Sequence, residues 1–186
     1  MTTRQIAPPA SLAVSIEDAR ETLRLDDDAL DATLMIHIQG ITREAEHATG
    51  RAFINRPMRL TLDSFTDALR LDLSPIFSVE SVKFIDTAGV LQTLDPADYY
   101  ADKISEPGYI VPGRGKAWPA TADQLNAVTV DYTAGYGLDP ESVPSEARSY
   151  ILAKLQSQLG SAAASVGKPF NVEYLDRLLD PLLTFA

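Results

Sequence analysis

One change of hydrophobic period divides this chain. Leu30, Leu34, Ile38, Ile41, Ala45 and Ala48 recur every three or four residues, which predicts a long amphipathic helix stopped by Gly50. Just beyond, the period becomes two. Met58, Leu60 and Leu62 alternate with Arg59, Thr61 and Asp63, and Leu69, Leu71 and Leu73 alternate with Arg70 and Asp72, as in half-buried strands. After Pro144 the helical spacing returns in Ala147, Tyr150, Ile151, Leu155 and Leu159, ending at Gly160. The two periods bury different faces of the backbone. Their order therefore predicts an α+β protein: a helical unit built from the N- and C-terminal segments, with an inserted antiparallel β-rich block.

Shorter elements fill in this outline. Ser15, three residues before Asp18, reads as a helix start with Ile16, Ala19 and Leu23 on one face, ending near Leu25. Further strands are predicted at 79–85, 90–94, 99–104 and 127–133, with Asp86-Thr-Ala-Gly89 as a hairpin turn. The small-residue stretch SAAASVG reads as a linker or frayed helix end before Asn171 caps a last apolar helix, which Pro181 ends. The predicted organisation is a helical segment over 1–50, the β-rich insertion over 51–137, a completing helix over 138–164 and a C-terminal segment over 165–186.

Charge and composition exclude several functions. With 26 acidic against 16 basic residues the net charge is -10, so attraction to nucleic-acid phosphates or anionic lipid needs a local patch. There is no cysteine, hence no disulfide, thiolate zinc site or cysteine nucleophile. The N-terminal stretch lacks the pattern of a secretory signal, and no window approaches a membrane span.

The sites that chemistry would need are mostly missing. VPGRGKAWP, residues 111–119, places two glycines and two cations together, but it is no phosphate loop. Counting from Gly108 puts Arg114 where lysine is required; counting to Gly115-Lys116 puts Ile110 at the first glycine position and Ala117 where the hydroxyl belongs. Trp118-Pro119 blocks the helix that would aim amides at phosphate. Arg114 and Lys116, beside Tyr109 and Trp118, are candidate phosphate contacts, against a solvated loop with Trp118 folded onto the sheet. Asp26, Asp27 and Asp28 lack the ligand alternation of a calcium loop and read instead as carboxylates at a helix N-terminus. His37 and His47 lie about 15 Å apart along one helix and cannot share a metal. No cofactor and no catalytic group is indicated.

Four stretches in this order carry a resemblance: PPASLAVSIEDARETLRLDDDALDATL; TGRAFINRPMRLTLD; the middle, from VESVKFIDTAGVLQTLDPADYY through VPGRGKAWP to NAVTVDYTAGYG; and VPSEARSYILAKL. Together they cover most of residues 8–155. The chain resembles the head-tail connector, or adaptor, proteins of long-tailed bacteriophages and prophages, in the longer subfamily with a β-rich insertion. In such proteins a glycine-containing turn ending in Trp-Pro links strands of the inserted sheet, the place that VPGRGKAWP takes. KPFNVEYLDRLLDPLL is similar, with looser spacing, to the Pro-x-x-Val-x-x-Leu-Leu-x-Pro ending of related chains.

The resemblance implies a structural virion protein and no enzyme. It implies a homo-oligomeric ring of twelve subunits under the portal protein, meeting a tail-side neck or tail terminator protein and letting duplex DNA pass without tight binding. Its place would be the head-tail junction, or neck, after assembly in the host cytoplasm, with no membrane involved. Attachment to the portal through the C-terminal segment would use Phe170, Tyr174, Leu175, Leu178, Leu179, Leu182, Leu183 and Phe185; the same helix could instead pack on its own subunit. Ring contacts must be heterologous to close. Arg51, Arg56 and Arg59 meeting Asp26, Asp27, Asp28, Glu44 or Glu46 are the candidates. Residues 1–50 carry nine acids against four bases, half of the net charge, so part of the helical unit is expected to face the channel. Two other classes stay open: a DNA-binding module of packaging machinery, and a hydrolase whose carboxylate pair the sequence does not reveal.

Overall fold

Ser15 starts the first helix as its spacing to Asp18 predicts: its hydroxyl accepts the Asp18 amide at 3.0 Å. The computed structural model describes residues 1–160, 175 and 177–183. These divide into a helical unit, Ala10–Ile54 with the described residues from Gly137 onward, and a β unit, Met1–Pro9 with Asn55–Tyr136. The fold is α+β, with helices and two antiparallel sheets.

In the helical unit, α1 spans Ile16–Leu23, α2 Asp31–Thr49 and α3 Ser145–Leu159. Helix α1 stops where Arg24 turns left-handed (φ 56°) and its amide reaches back to the carbonyls of Arg20 and Glu21. Gly50, at φ 68°, closes α2 in the same way, a conformation free of steric penalty for glycine. Leu34, Ile38, Ile41 and Ala45 of α2 are buried with Ala147, Tyr150, Ile151 and Leu155 of α3 and Ala19 of α1. Leu175, Leu179 and Leu182 complete this core. At its edge Arg20 grips the Asp31 carboxylate with two donors, one at 2.7 Å.

The β unit holds a five-stranded sheet in the order β1-β2-β8-β4-β5 and a three-stranded sheet in the order β3-β7-β6. The strands are β1 Thr2–Gln5, β2 Arg56–Leu62, β3 Leu69–Leu71, β4 Ile76–Ile85, β5 Leu91–Thr93, β6 Tyr99–Asp102, β7 Gly108–Pro112 and β8 Val128–Ala134. Strand β8 is central. It pairs with β2 in unbroken register from Arg56↔Ala134 to Leu62↔Val128, and with β4 across two register shifts. Its inward residues Val128, Val130, Tyr132 and Ala134 are buried, and the Tyr132 hydroxyl donates to the Asp72 carbonyl at 2.6 Å.

Three features differ from the sequence pattern. Residues 2–5, within the segment read as helical, form strand β1 at a sheet edge; an edge strand that is mostly exposed needs no apolar alternation, so TTRQ carries no signal. Strand β7 lies between β3 and β6 although proline and glycine flank it. Gly108 is required there because a Cβ would sit 2.6 Å from the Ile76 side chain and 3.0 Å from the Asp102 carbonyl. Asp26, Asp27 and Asp28 precede α2 and do not cap it: Leu30 occupies the cap position with no side-chain hydrogen bond, and Asp31 alone is acidic in the first turn. The segment 161–174, with Asn171 and SAAASVG, lies outside the described residues; Pro181 sits inside a short 3-10 turn, Asp180–Leu182.

Two hairpins are tied by carboxylates. Asp86 accepts the amides of Val90 and Ala88, each at 2.9 Å, and the Gln92 amide at 2.8 Å. Asp102 accepts the Ser105 hydroxyl at 2.6 Å and the amides of Ser105 and Ile104. These donors hold both carboxyls below the usual range, led by Val90 for Asp86 and by the Ser105 hydroxyl for Asp102. A depressed folded pKa means that this support is present above the unfolded value, about 3.9, and is lost as pH falls through the folded one. In an acid titration followed by NMR, the Val90 and Ile104 amides should shift with midpoints below about 3.9. Midpoints at or above that value would contradict the hydrogen bonding.

Candidate functional site

The loop after β7 is built as a structural turn. Gly113 donates its amide to the Asp98 carbonyl at 2.8 Å, Lys116 donates to the Gly113 carbonyl at 2.9 Å, and Gly115 takes φ 74°. Trp118 lies against Phe65, rings 4.6 Å apart and 7° from parallel, and its indole donates to the Thr66 carbonyl at 2.7 Å. One face of the indole is thus covered, and its N–H is used within the chain. Lys116 is paired with Asp98. Arg114 is exposed and, among the described residues, in no ion pair; a single cation is not the basic groove of a single-strand platform.

The charged residues expected at a subunit contact fall into three groups. Glu46, Arg51 and Arg56 are buried within the chain itself. The Glu46 carboxylate accepts the Phe53 amide at 2.8 Å, and Arg51 donates to the Leu182 carbonyl at 2.6 Å, fixing the chain where it leaves α2. Glu44 engages Lys154, with the Tyr150 hydroxyl 3.3 Å away. Arg59 holds its cross-strand partner Asp131 through two hydrogen bonds of 2.6 and 3.0 Å, which raise the guanidinium pKa. Asp26, Asp27 and Asp28 stand exposed.

Of the C-terminal apolar set, Leu175, Leu179 and Leu182 are buried in the helical unit and Leu178 and Leu183 are half-buried. Phe170, Tyr174 and Phe185 lie outside the described residues. His37 meets the Gln158 side chain at 3.1 Å, while His47 is exposed. Among the described residues no three His, Cys, Asp or Glu side chains are grouped to hold a metal, and no helix is long and apolar enough to cross a membrane.

Periodicity gives no place to Met35 and Ile36, exposed on α2, or to Ile104, 90% exposed at the tip of the β6-β7 hairpin. On α2 the signal is one of phase: the two apolar residues stand outside the stripe of Leu34, Ile38, Ile41 and Ala45.

No protein-family model matches the chain, and no curated protein sequence does so either. Solved structures share its fold over its full length. A chain in the neck of an empty GTA particle, computed with C6 symmetry, superposes with a TM-score of 0.80 at 22% identity, covering 100% of this chain and 97% of that one. A chain in the virion of a native gene transfer agent particle gives 0.78 at 21% identity with the same coverage. One from the neck of the native GTA particle, computed with C12 symmetry, gives 0.71 at 22%, again with the same coverage.

If the 111–119 loop is structural, Trp118→Ala should lower stability by about 2 kcal/mol, whereas Arg114→Ala should stay within about 0.5 kcal/mol. Urea unfolding followed by circular dichroism gives both values. The reverse order would oppose this role.

Proposed function

We propose that this chain is a structural head-tail connector of a tailed bacteriophage, prophage or related particle, and that it catalyses no reaction. Copies form a ring, twelve in number, between the portal protein and a tail-side neck or tail terminator protein, in the neck of the virion after assembly in the host cytoplasm. The observation that carries this reading is the likeness in fold, from end to end, to chains that come from particle necks. Agreement across both units is more demanding than agreement of one sheet or one bundle.

The charge suits this role. Duplex DNA crosses such a ring without being retained, and carboxylates near the lumen repel phosphates over roughly 8–10 Å at physiological salt. Residues 1–50 carry nine acidic against four basic residues, and we assign part of the helical unit to the channel wall. The paired state of Lys116 speaks against a packaging module that grips DNA. Docking on the portal falls to Phe170, Tyr174, Leu178, Leu183 and Phe185, since Leu175, Leu179 and Leu182 serve the subunit's own core.

Imaging of purified particles should reveal a symmetric layer of this protein beneath the portal, and particles lacking the protein should be unable to join heads to tails. Its absence from mature particles would overturn the reading. Purified protein should leave duplex DNA unshifted in a gel at about 0.15 M salt; tight, salt-dependent retention would favour a DNA-binding module instead.

A further inference from the structure

Helix α2 has a second face. Opposite its buried side it presents Met35, Ile36, Gln39, Gly40, Arg43 and His47, all exposed, with Ile36 at 70%. Positions 36, 40, 43 and 47 follow one stripe about 16 Å long. Gly40 lies mid-helix, where glycine is less stable than alanine. The usual reasons for glycine fail here: its φ is not positive, and a Cβ would meet nothing within 4 Å. Nothing inside the subunit needs this residue to lack a side chain. A surface arriving from outside would need it, because a glycine beside an exposed isoleucine makes a hollow next to a knob and lets another backbone approach closely.

Charge identifies the occupant. Among the described residues Arg43 and His47 make no ion pair on this face. Elsewhere on the same unit Glu17, Glu21, Asp26, Asp27 and Asp28 are exposed and, among the described residues, also make none, whereas Asp18 and Asp31 already meet Arg148 and Arg20. Arg43 is about 18 Å along the helix from Asp31, so the 26–28 turn of the same copy, which leads into α2, is too far to satisfy it. Two copies placed head to tail bring them together. We infer that the outer face of α2, centred on Gly40, is a ring contact that receives the acidic α1 edge and the 26–28 turn of a second copy of this chain. This rests on the ring reading and names its surfaces; the contact is heterologous, so every copy offers both halves and the chain of contacts can close.

The cysteine-free chain allows a direct test. Full-length protein carrying both Arg43→Cys and Asp27→Cys, oxidised mildly at about 1 mM subunit and low salt to favour charge pairing, should give a reducible ladder of dimers and larger species. Either single variant should give only traces. A dimer from Arg43→Cys alone would mean a two-fold contact and overturn the inference, as would the absence of a ladder. In parallel, Gly40→Leu should leave the subunit at least as stable to urea while weakening self-association, read by sedimentation, about tenfold or more. Unchanged association would also overturn it. If the wild type associates but neither signature appears, this contact fails and the ring stands; if the wild type is absent from the necks of particles, the ring itself fails.

Discussion

The packing of α2 on α3 is the contact on which the chain's layout depends. It joins residues separated by the whole β block, closing a loop of nearly a hundred residues between Thr49 and Ser145. The entropy of closing such a loop is about 4 kcal/mol, because it grows only with the logarithm of length. Leu34, Ile38, Ile41, Tyr150, Ile151 and Leu155, in the core that these helices share with α1 and the C-terminal leucines, each add about 1.5–3 kcal/mol by leaving water, more in sum than the closure costs. An insertion of this size is therefore tolerated, provided that its two ends are held. Glu46 on the Phe53 amide and Arg51 on the Leu182 carbonyl hold the chain at the exit from α2.

The elements that could be read in advance were those whose burial follows one period. Ser15 and Gly50 cap their helices where sequence places them, and the alternation of β2, the 147-150-151-155 stripe and the 34-38-41-45 middle of the α2 stripe are buried as their period predicts, while its ends, Leu30 and Ala48, are exposed. Strand β1 was hidden for the opposite reason. It adds to the sheet through backbone hydrogen bonds while its side chains stay largely in water. Strand β7 was hidden because its determinant is close approach. Gly108 is required by the Ile76 side chain, far earlier in the chain, and only the folded sheet brings the two together.

The candidate surfaces divide along the same line. The failed phosphate-loop pattern leaves Trp118 to a structural role, and its ring stacks on Phe65 in the loop between β2 and β3. Charged residues were harder to place, because a carboxylate or guanidinium in a sequence gives no sign of whether its partner is water or the protein. Glu46 sits one residue from buried Ala45, on the flank of the inward stripe, and there its charge is satisfied by a backbone amide. Asp26, Asp27 and Asp28 fall in a turn between helices, where no packing competes with solvent.

The early strand β1 has a consequence for how the molecule withstands damage. Because residues 2–5 belong to the β unit and α1 to the helical one, the backbone passes between the units near residues 9, 54 and 136. A protease that severs any one of these passages leaves the other covalent tethers in place. No single cut there can release either half as a free piece.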